Sequence, residues 1–378
     1  MSAAPVALYV HFPFCLSLCP YCDFVVYAGR DARGPNNRIG AFVDAVVAEI
    51  GLRARPSAVH SVYLGGGTPS LMAAADVERI LTAADAAFGI AARAEITIES
   101  NPGPAERGDL RGFRAAGVNR VSFGAQSLNI DELRALGRRH APADVTSAVT
   151  AARKAGFHNV SVDLLYDVPG QSLDSWRSTL DAAIALEPEH VSAYGLNLDG
   201  TDPDDGHMPV SRGAAQWRTR ARAGQDEDRA ADMYEQADEA LGRAGLHWYE
   251  ISNWSRPGHE SVHNQVYWRG DSWEAVGPGA HRFDGATERS WNSARLDAYV
   301  GALGRGDLPP GQTAAAEQWE RTMLGLRTSA GVPADLVGDT ASWGIEHGLL
   351  EQQSDALRLT VRGRLMSNVL FERLLPAD

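Results

Sequence analysis

The stretch "HFPFCLSLCPYCDF", residues 11 to 24, holds Cys15, Cys19 and Cys22, which are all three cysteines of a chain of 378 residues. An odd, crowded trio cannot be paired off as disulfides, so the Cys-x3-Cys-x2-Cys loop points to metal. Two chemistries suit it. A structural zinc needs four tetrahedral ligands, and His11 or Asp23 would have to complete the set. A cubane iron–sulfur cluster usually takes four cysteines, so three leave one iron open to another ligand.

Other residues suggest what could bind there. "GGGTPS", Gly65 to Ser70, places three glycines together, which lets the backbone approach a small charged ligand through its N–H groups. Glu99, Gln126, Arg138 and Asp163 add an acid, an amide, a guanidinium and a second acid. Each alone is an ordinary polar residue. As a ring they can hold an ammonium, a carboxylate and a ribose diol, a set that fits S-adenosyl-L-methionine.

The elements that must position these residues read as βα units. Short β-branched runs ("ALYVHF", "HSVYLG", "EITIES", "NRVSFG", "NVSVDLL", "HVSAYGL") alternate with helical periodicity at Phe42–Leu52, Asp76–Phe88, Asp144–Ala155 and Ser175–Leu186. Six such units predict an α/β fold, a partial (βα)6 TIM-type barrel. The cysteine loop, "GGGTPS", "NPG", "AQS" and "YDVPGQS" all follow strands, on the face where barrels carry their working residues. The pattern divides the chain into a core (1–200), a polar loop or insertion (201–229), a barrel extension (230–312) and a small C-terminal domain of helices with a β wing, winged-helix-like (313–378).

Composition narrows the function classes. A formal net charge of −13 argues against an electrostatic hold on nucleic acid, and residues 314–378 are more acidic than basic. The N-terminal "MSAAPVALYV" lacks the basic start of a secretory signal, and no apolar run reaches membrane-spanning length, which predicts a soluble cytoplasmic protein.

The cysteine loop, with an aspartate and an aromatic after it, resembles the radical S-adenosylmethionine (SAM) superfamily. The wider set "LYVHFPFC", "CPYCDF", "GGGTPS", "IESNPG", "GVNRVSFGAQS", "LGRRH", "VDLLYDVPGQS", "YEISNW" and "HNQVYW" is similar to the heme chaperone HemW family, related to oxygen-independent coproporphyrinogen III oxidases. The resemblance implies a 4Fe-4S cluster on Cys15, Cys19 and Cys22, with SAM on the fourth iron. It places Gly66, Gly67 and Thr68 at the methionyl amino group, Glu99 and Arg138 at its polar end, and Gln126 and Asp163 at the ribose. Tyr9 and Tyr21 would pack near the sulfonium and adenine.

The oxidases carry a further cysteine two residues after the third; Phe24 stands there in this chain. That favours a heme chaperone over a coproporphyrinogen oxidase or a related radical SAM methyltransferase. Within "HNQVYW", His263 is the candidate heme ligand, with Tyr267 and Trp268 packing on the macrocycle and His259 and His281 as lesser candidates. The plainer reading is a loop histidine bonded to backbone and two core aromatics. The implied partners are heme, a heme-recipient protein (a membrane-associated one among the options) and an electron donor to the cluster. Three positions depart from the family pattern: Asp167 and Arg282, each where glycine is usual, and "LNLDGTD", which lacks a glutamate and a proline.

Overall fold

The computed structural model describes residues 3–198 and 212–376. Six parallel strands pair in chain order: β1 (Ala7–Phe12), β2 (Val59–Gly66), β3 (Ile90–Ser100), β4 (Arg120–Gln126), β5 (Val160–Tyr166) and β6 (His190–Gly195). Between them run helices Ile39–Leu52, Ala74–Phe88, Leu110–Ala115, Pro142–Lys154 and Leu173–Ile184, among others, close to the periodic segments of the sequence. This is the expected α/β partial barrel.

The six strands have two chemically different faces. Successive side chains of a strand point to opposite sides of the sheet. Leu8, Val10, Phe12, Val62, Leu64, Ile98, Val121, Phe123, Val160, Val162, Leu164 and Val191 join the helix-side core. The alternate positions, including Glu99, Arg120, Ser122, Asp163 and Ser192, line a cavity on the other side. Buried parallel strands usually read as continuous apolar runs. Polar alternation here marks a barrel whose interior is shaped for a ligand.

The sheet extends at both edges to twelve strands. At the β6 edge lie β7 (His247–Glu250) and β8 (Asn253–Ser255), antiparallel. At the β1 edge, β9 (Trp273–Val276) pairs parallel to β1, followed by antiparallel β10 (His281–Phe283), β11 (Glu288–Asn292) and β12 (Gly311–Ala315). The chain must therefore cross from one edge to the other between β8 and β9. The helix Val262–Arg269, which carries "HNQVYW", makes that crossing. Its first turn is held by buried Glu95 of β3, which accepts from Val262 N and His263 N at 3.1 Å each.

The C-terminal region builds its own apolar core from Leu326, Val332, Leu349, Leu350, Leu357, Leu359 and Leu370, around a three-stranded antiparallel sheet. Arg364 ties it to the barrel through Asp238 at 2.7 Å and lies over the Trp248 ring at 4.3 Å. Among the described residues no helix is long and apolar enough to cross a membrane.

One expectation is corrected. Within the segment 201–229, read as loop, a helix spans Arg212–Arg222 and a second begins at Glu227; the portion 199–211, with the end of "LNLDGTD", lies outside the described residues. Charge-rich composition hid the helix because Arg-rich, apolar-poor sequence can still be helical when it docks on a partner surface. Asp167 does adopt a left-handed backbone, with φ 55°. Its carboxylate accepts from Arg229 at 2.5 Å, so a tertiary ion pair compensates for the missing glycine. Arg282 points away from β10's aromatic face and donates to Asn292 Oδ1 at 3.2 Å.

One buried carboxylate joins the β1-edge extension to the barrel. Glu49 accepts from Arg53 (2.8 Å), Asn292 (2.8 Å), Tyr299 (2.6 Å) and Gly277 N (2.9 Å). Glu49→Ala would take the acceptor from Arg53 Nε, Tyr299 Oη and Gly277 N, while Asn292 keeps Gly277 O at 2.9 Å, and is expected to cost about 3–5 kcal/mol. Urea unfolding measures this, and Glu49→Gln should lose less.

Candidate functional site

The three cysteines lie on the loop after β1 and open into a cavity of about 460 Å³, within the size range of small-ligand sites. Thr68 Oγ1 donates to Cys15 Sγ at 3.4 Å and Arg138 Nη1 to Cys19 Sγ at 3.6 Å. Such donors tune the sulfur atoms of a metal centre. Burial pushes the Cys15 thiol up to about 12 and Cys22 up to about 11. Metal ligands must be thiolates, so a cationic centre has to supply the compensating charge.

The loop is clamped from outside by the helix that composition concealed. Arg218 pairs with Asp23 and donates to Pro20 O at 3.0 Å and Cys22 O at 3.1 Å, while Trp217 Nε1 donates to Ala135 O at 2.9 Å. Tyr21 sits between this helix and the cavity, its ring 6.4 Å from Trp217.

The zinc reading fares poorly against this geometry. Both nitrogens of His11 are engaged, Nε2 with Val25 O at 2.9 Å and Nδ1 with Tyr9 Oη at 3.0 Å. Asp23 is taken by Arg218. A cubane cluster asks only for the three thiols, one to each of three irons.

The glycine run is fixed by the strand beside it. Gly67 N donates to Phe12 O (2.7 Å), Thr68 N to Phe14 O (2.8 Å) and Gly66 N to Glu99 Oε2 (2.9 Å). The expectation that these N–H groups reach a ligand is corrected, because all three are spent. The run can meet a ligand only through acceptors, which suits an ammonium. A Cβ on Gly67 would lie 2.6 Å from Phe14 O, so only glycine allows this approach.

Arg138 is the centre of the polar wall. It donates to Asn101, to Gly124 O at 2.8 Å and to Cys19, yet its Nε is buried without a hydrogen-bond partner. A guanidinium with a donor to spare and three thiols on one cavity form a donor set that fits a SAM-bound cluster. Gln126 enters the cavity wall from a bulge after Gly124, with φ 65°. Asp163 accepts from Ser122 at 3.0 Å, and burial raises its carboxyl.

The structure therefore gathers Cys15, Cys19, Cys22, Tyr21, Gly66, Gly67, Thr68, Glu99, Gln126, Arg138 and Asp163 around one cavity. It does not bring Tyr9 there. Tyr9 stacks behind Tyr63 at 6.1 Å and faces a second cleft. Nor does it expose His263, whose Nδ1 meets Ser61 Oγ at 2.9 Å and Nε2 meets Tyr267 Oη at 2.7 Å in a buried site. Burial pushes its pKa down to about 3, so the ring is neutral, and its two hydrogen bonds leave neither nitrogen open to a ligand. The helix fans the motif apart: Tyr267 lines the second cleft, and Trp268 lies under Arg327 at 4.9 Å in a third cavity. Missed residues are Asn101, Arg120, Tyr63 and Arg218. The polar alternation of "EITIES" and "NRVSFG" was the signal for Tyr63's neighbours on the inner face; nothing local marked Arg218.

Glu99 accepts from Tyr63 Oη at 2.8 Å, and burial pushes its carboxyl up to about 7. A folded value above the unfolded one favours folding below about 4.5 and loses that contribution as pH rises through about 7. Ionised Glu99 thus weakens the ligand-free fold and is repaid by a bound cation. Glu99→Gln should raise the ligand-free Tm by roughly 2–4 °C at pH 8 and little at pH 5. Isothermal titration should show weaker SAM binding by the same variant.

Comparison with known proteins places the chain in a family. The Radical SAM superfamily model matches residues 9–183. A heme chaperone HemW of Mycobacterium tuberculosis is 37% identical over 390 aligned positions, covering 99% of this chain and 96% of that protein. A heme chaperone HemW of Synechocystis is 37% identical, covering 87% and 79%. The solved coproporphyrinogen III oxidase HemN of Escherichia coli, a radical SAM enzyme, superposes with a TM-score of 0.76 at 21% identity, over 98% of this chain and 90% of its own, and so shares the fold. On identity sustained along nearly its whole length, this chain belongs to the heme chaperone HemW family within the radical SAM superfamily.

Proposed function

We infer that the chain is a heme chaperone that carries a SAM-bound 4Fe-4S cluster and passes heme to a recipient protein. The observation that carries this reading is the cluster loop itself. Three thiols meet the cavity, and position 24 is a phenylalanine, 61% exposed, on the rim. Without a cysteine there, the chain departs from the oxidase pattern two residues after its last cysteine.

When bound, the cluster supplies low-potential electron transfer and a fourth iron that SAM can chelate through its amino and carboxylate groups. The protein's own residues do the holding. Cys15, Cys19 and Cys22 would ligate three irons, and Arg138 and Thr68 would steady two of the sulfurs. Glu99 and the glycine run would meet the ammonium, and Gln126 and Asp163 the ribose, while the Arg218 clamp keeps the loop folded. The recipient, whether soluble or membrane-associated, and an electron donor to the cluster complete the proposed set of partners.

Anaerobic reconstitution with iron and sulfide should give a brown protein that binds SAM and heme and transfers heme to an apo-hemoprotein. Incubation of the reduced protein with coproporphyrinogen III and SAM should yield no protoporphyrinogen; its formation would overturn the chaperone reading. Arg138→Met is expected to weaken SAM binding about 10- to 100-fold, since a charge-assisted contact is worth about 1.5–3 kcal/mol. Equilibrium dialysis with radiolabelled SAM measures that loss.

A further inference from the structure

A second cleft of about 420 Å³ lies beside the cluster loop, and strand register determines its chemistry. His281 pairs with Trp291, Phe283 with Arg289, and Phe283 with Trp273. Directly opposed residues share a face of an antiparallel sheet, as do positions two apart. Trp273, His281, Phe283, Arg289 and Trp291 therefore crowd one face of β9–β11. The opposite face carries Glu274, Arg282 and Asn292 and is locked by Glu49 and Arg53.

The aromatic face is only partly covered. Phe24 and Val25 of the cluster loop, Tyr267 of the crossing helix and Leu324 of the C-terminal region complete the cleft. Exposed His281 stacks on Trp291, with centroids 5.2 Å apart and planes 11° apart. Its backbone is also fixed, since Trp273 Nε1 donates to His281 O at 2.8 Å. Arg289 reaches Glu320 at 2.8 Å, and its Nε has no hydrogen-bond partner.

A flat apolar macrocycle, an iron that takes imidazole and acidic side groups that take guanidinium describe a ligand complementary to this cleft. We propose that the cleft is the heme-docking site, with His281 as the axial ligand and Arg289 as the partner of a propionate. The inference rests on the heme-chaperone reading and relocates its ligand from His263. Two further observations support it. The third cavity, beside Trp268, is lined by no histidine. Asp23 and Phe24 line both the cluster cavity and the cleft, so heme would rest against the loop that holds the cluster. A shallow site with an exposed ligand also suits a protein that must release its cargo.

The test titrates the reconstituted full chain with ferric heme and, separately, with iron-free protoporphyrin IX, following Soret absorption, resonance Raman spectra and tryptophan quenching. His281→Ala is expected to move the Soret band, abolish the histidine–iron signature and weaken heme binding about tenfold or more, with porphyrin binding changed less than about twofold. Trp291→Ala should weaken both ligands. Unchanged SAM binding and circular dichroism verify that each variant is folded. Wild-type heme spectra and affinity in both variants would overturn the site while leaving the chaperone reading intact. A wild-type chain that takes up no heme would overturn both.

Discussion

The two-faced parallel sheet is the constraint on which the rest of the molecule depends. Strands β2 to β6 give apolar residues to the helices and polar ones to the cavity, so most of the barrel's hydrophobic stability comes from the helix-side core, with a smaller apolar cluster around Leu165 and Leu196 on the cavity side. The interior is then free to hold charges that an ordinary core could not tolerate. It does so by compensation. Arg120 lies 3.9 Å from Glu95, Asp163 is held by serines, and Glu99 is held by Tyr63 and a backbone N–H.

That arrangement explains why the cluster loop can be short and yet well placed. Its sulfurs meet Thr68 from the loop after β2 and Arg138 from the turn after the short helix that follows β4, and its outer side meets Arg218. Three distant parts of the chain thus position one loop. None of these contacts is local in sequence, and each is a hydrogen bond with a fixed direction. The loop's conformation is accordingly a property of the assembled barrel and not of the cysteine spacing.

The crossing helix shows the same logic at the other end of the site. "HNQVYW" is a conspicuous string, and its histidine and aromatics invite a ligand reading. In the fold, the string has to carry the chain from one sheet edge to the other. His263 is consumed in a hydrogen-bonded line from Ser61 to Tyr267, and ring contacts continue from Tyr63 through His263 and Tyr267 to Trp273. The motif therefore links the cluster cavity to the aromatic cleft structurally, with Tyr267 as the residue that reaches the second site.

What the sequence determined by itself follows from local and periodic physics. The alternation of short β-branched strands with helical periodicity sets the βα order, and three cysteines in eight positions announce a metal loop whatever surrounds them. Glu99 and Gln126 were readable because each lies at the end of its strand, Arg138 because it falls between two strands, and Asp163 because it is a polar residue inside an apolar strand; parallel pairing in chain order brings them to one cavity. Asp167 was readable as a strained position, but its relief by Arg229 was not. Tertiary structure alone decided the rest: that Tyr9 faces away from the cavity at the cysteine loop, that His263 is buried, that a helix within an apparent loop clamps the cysteine loop, and that His281 stands among tryptophans. These outcomes depend on which strand edge a segment joins and which face its register presents. Both are settled by long-range pairing, and neither spacing nor composition carries that information.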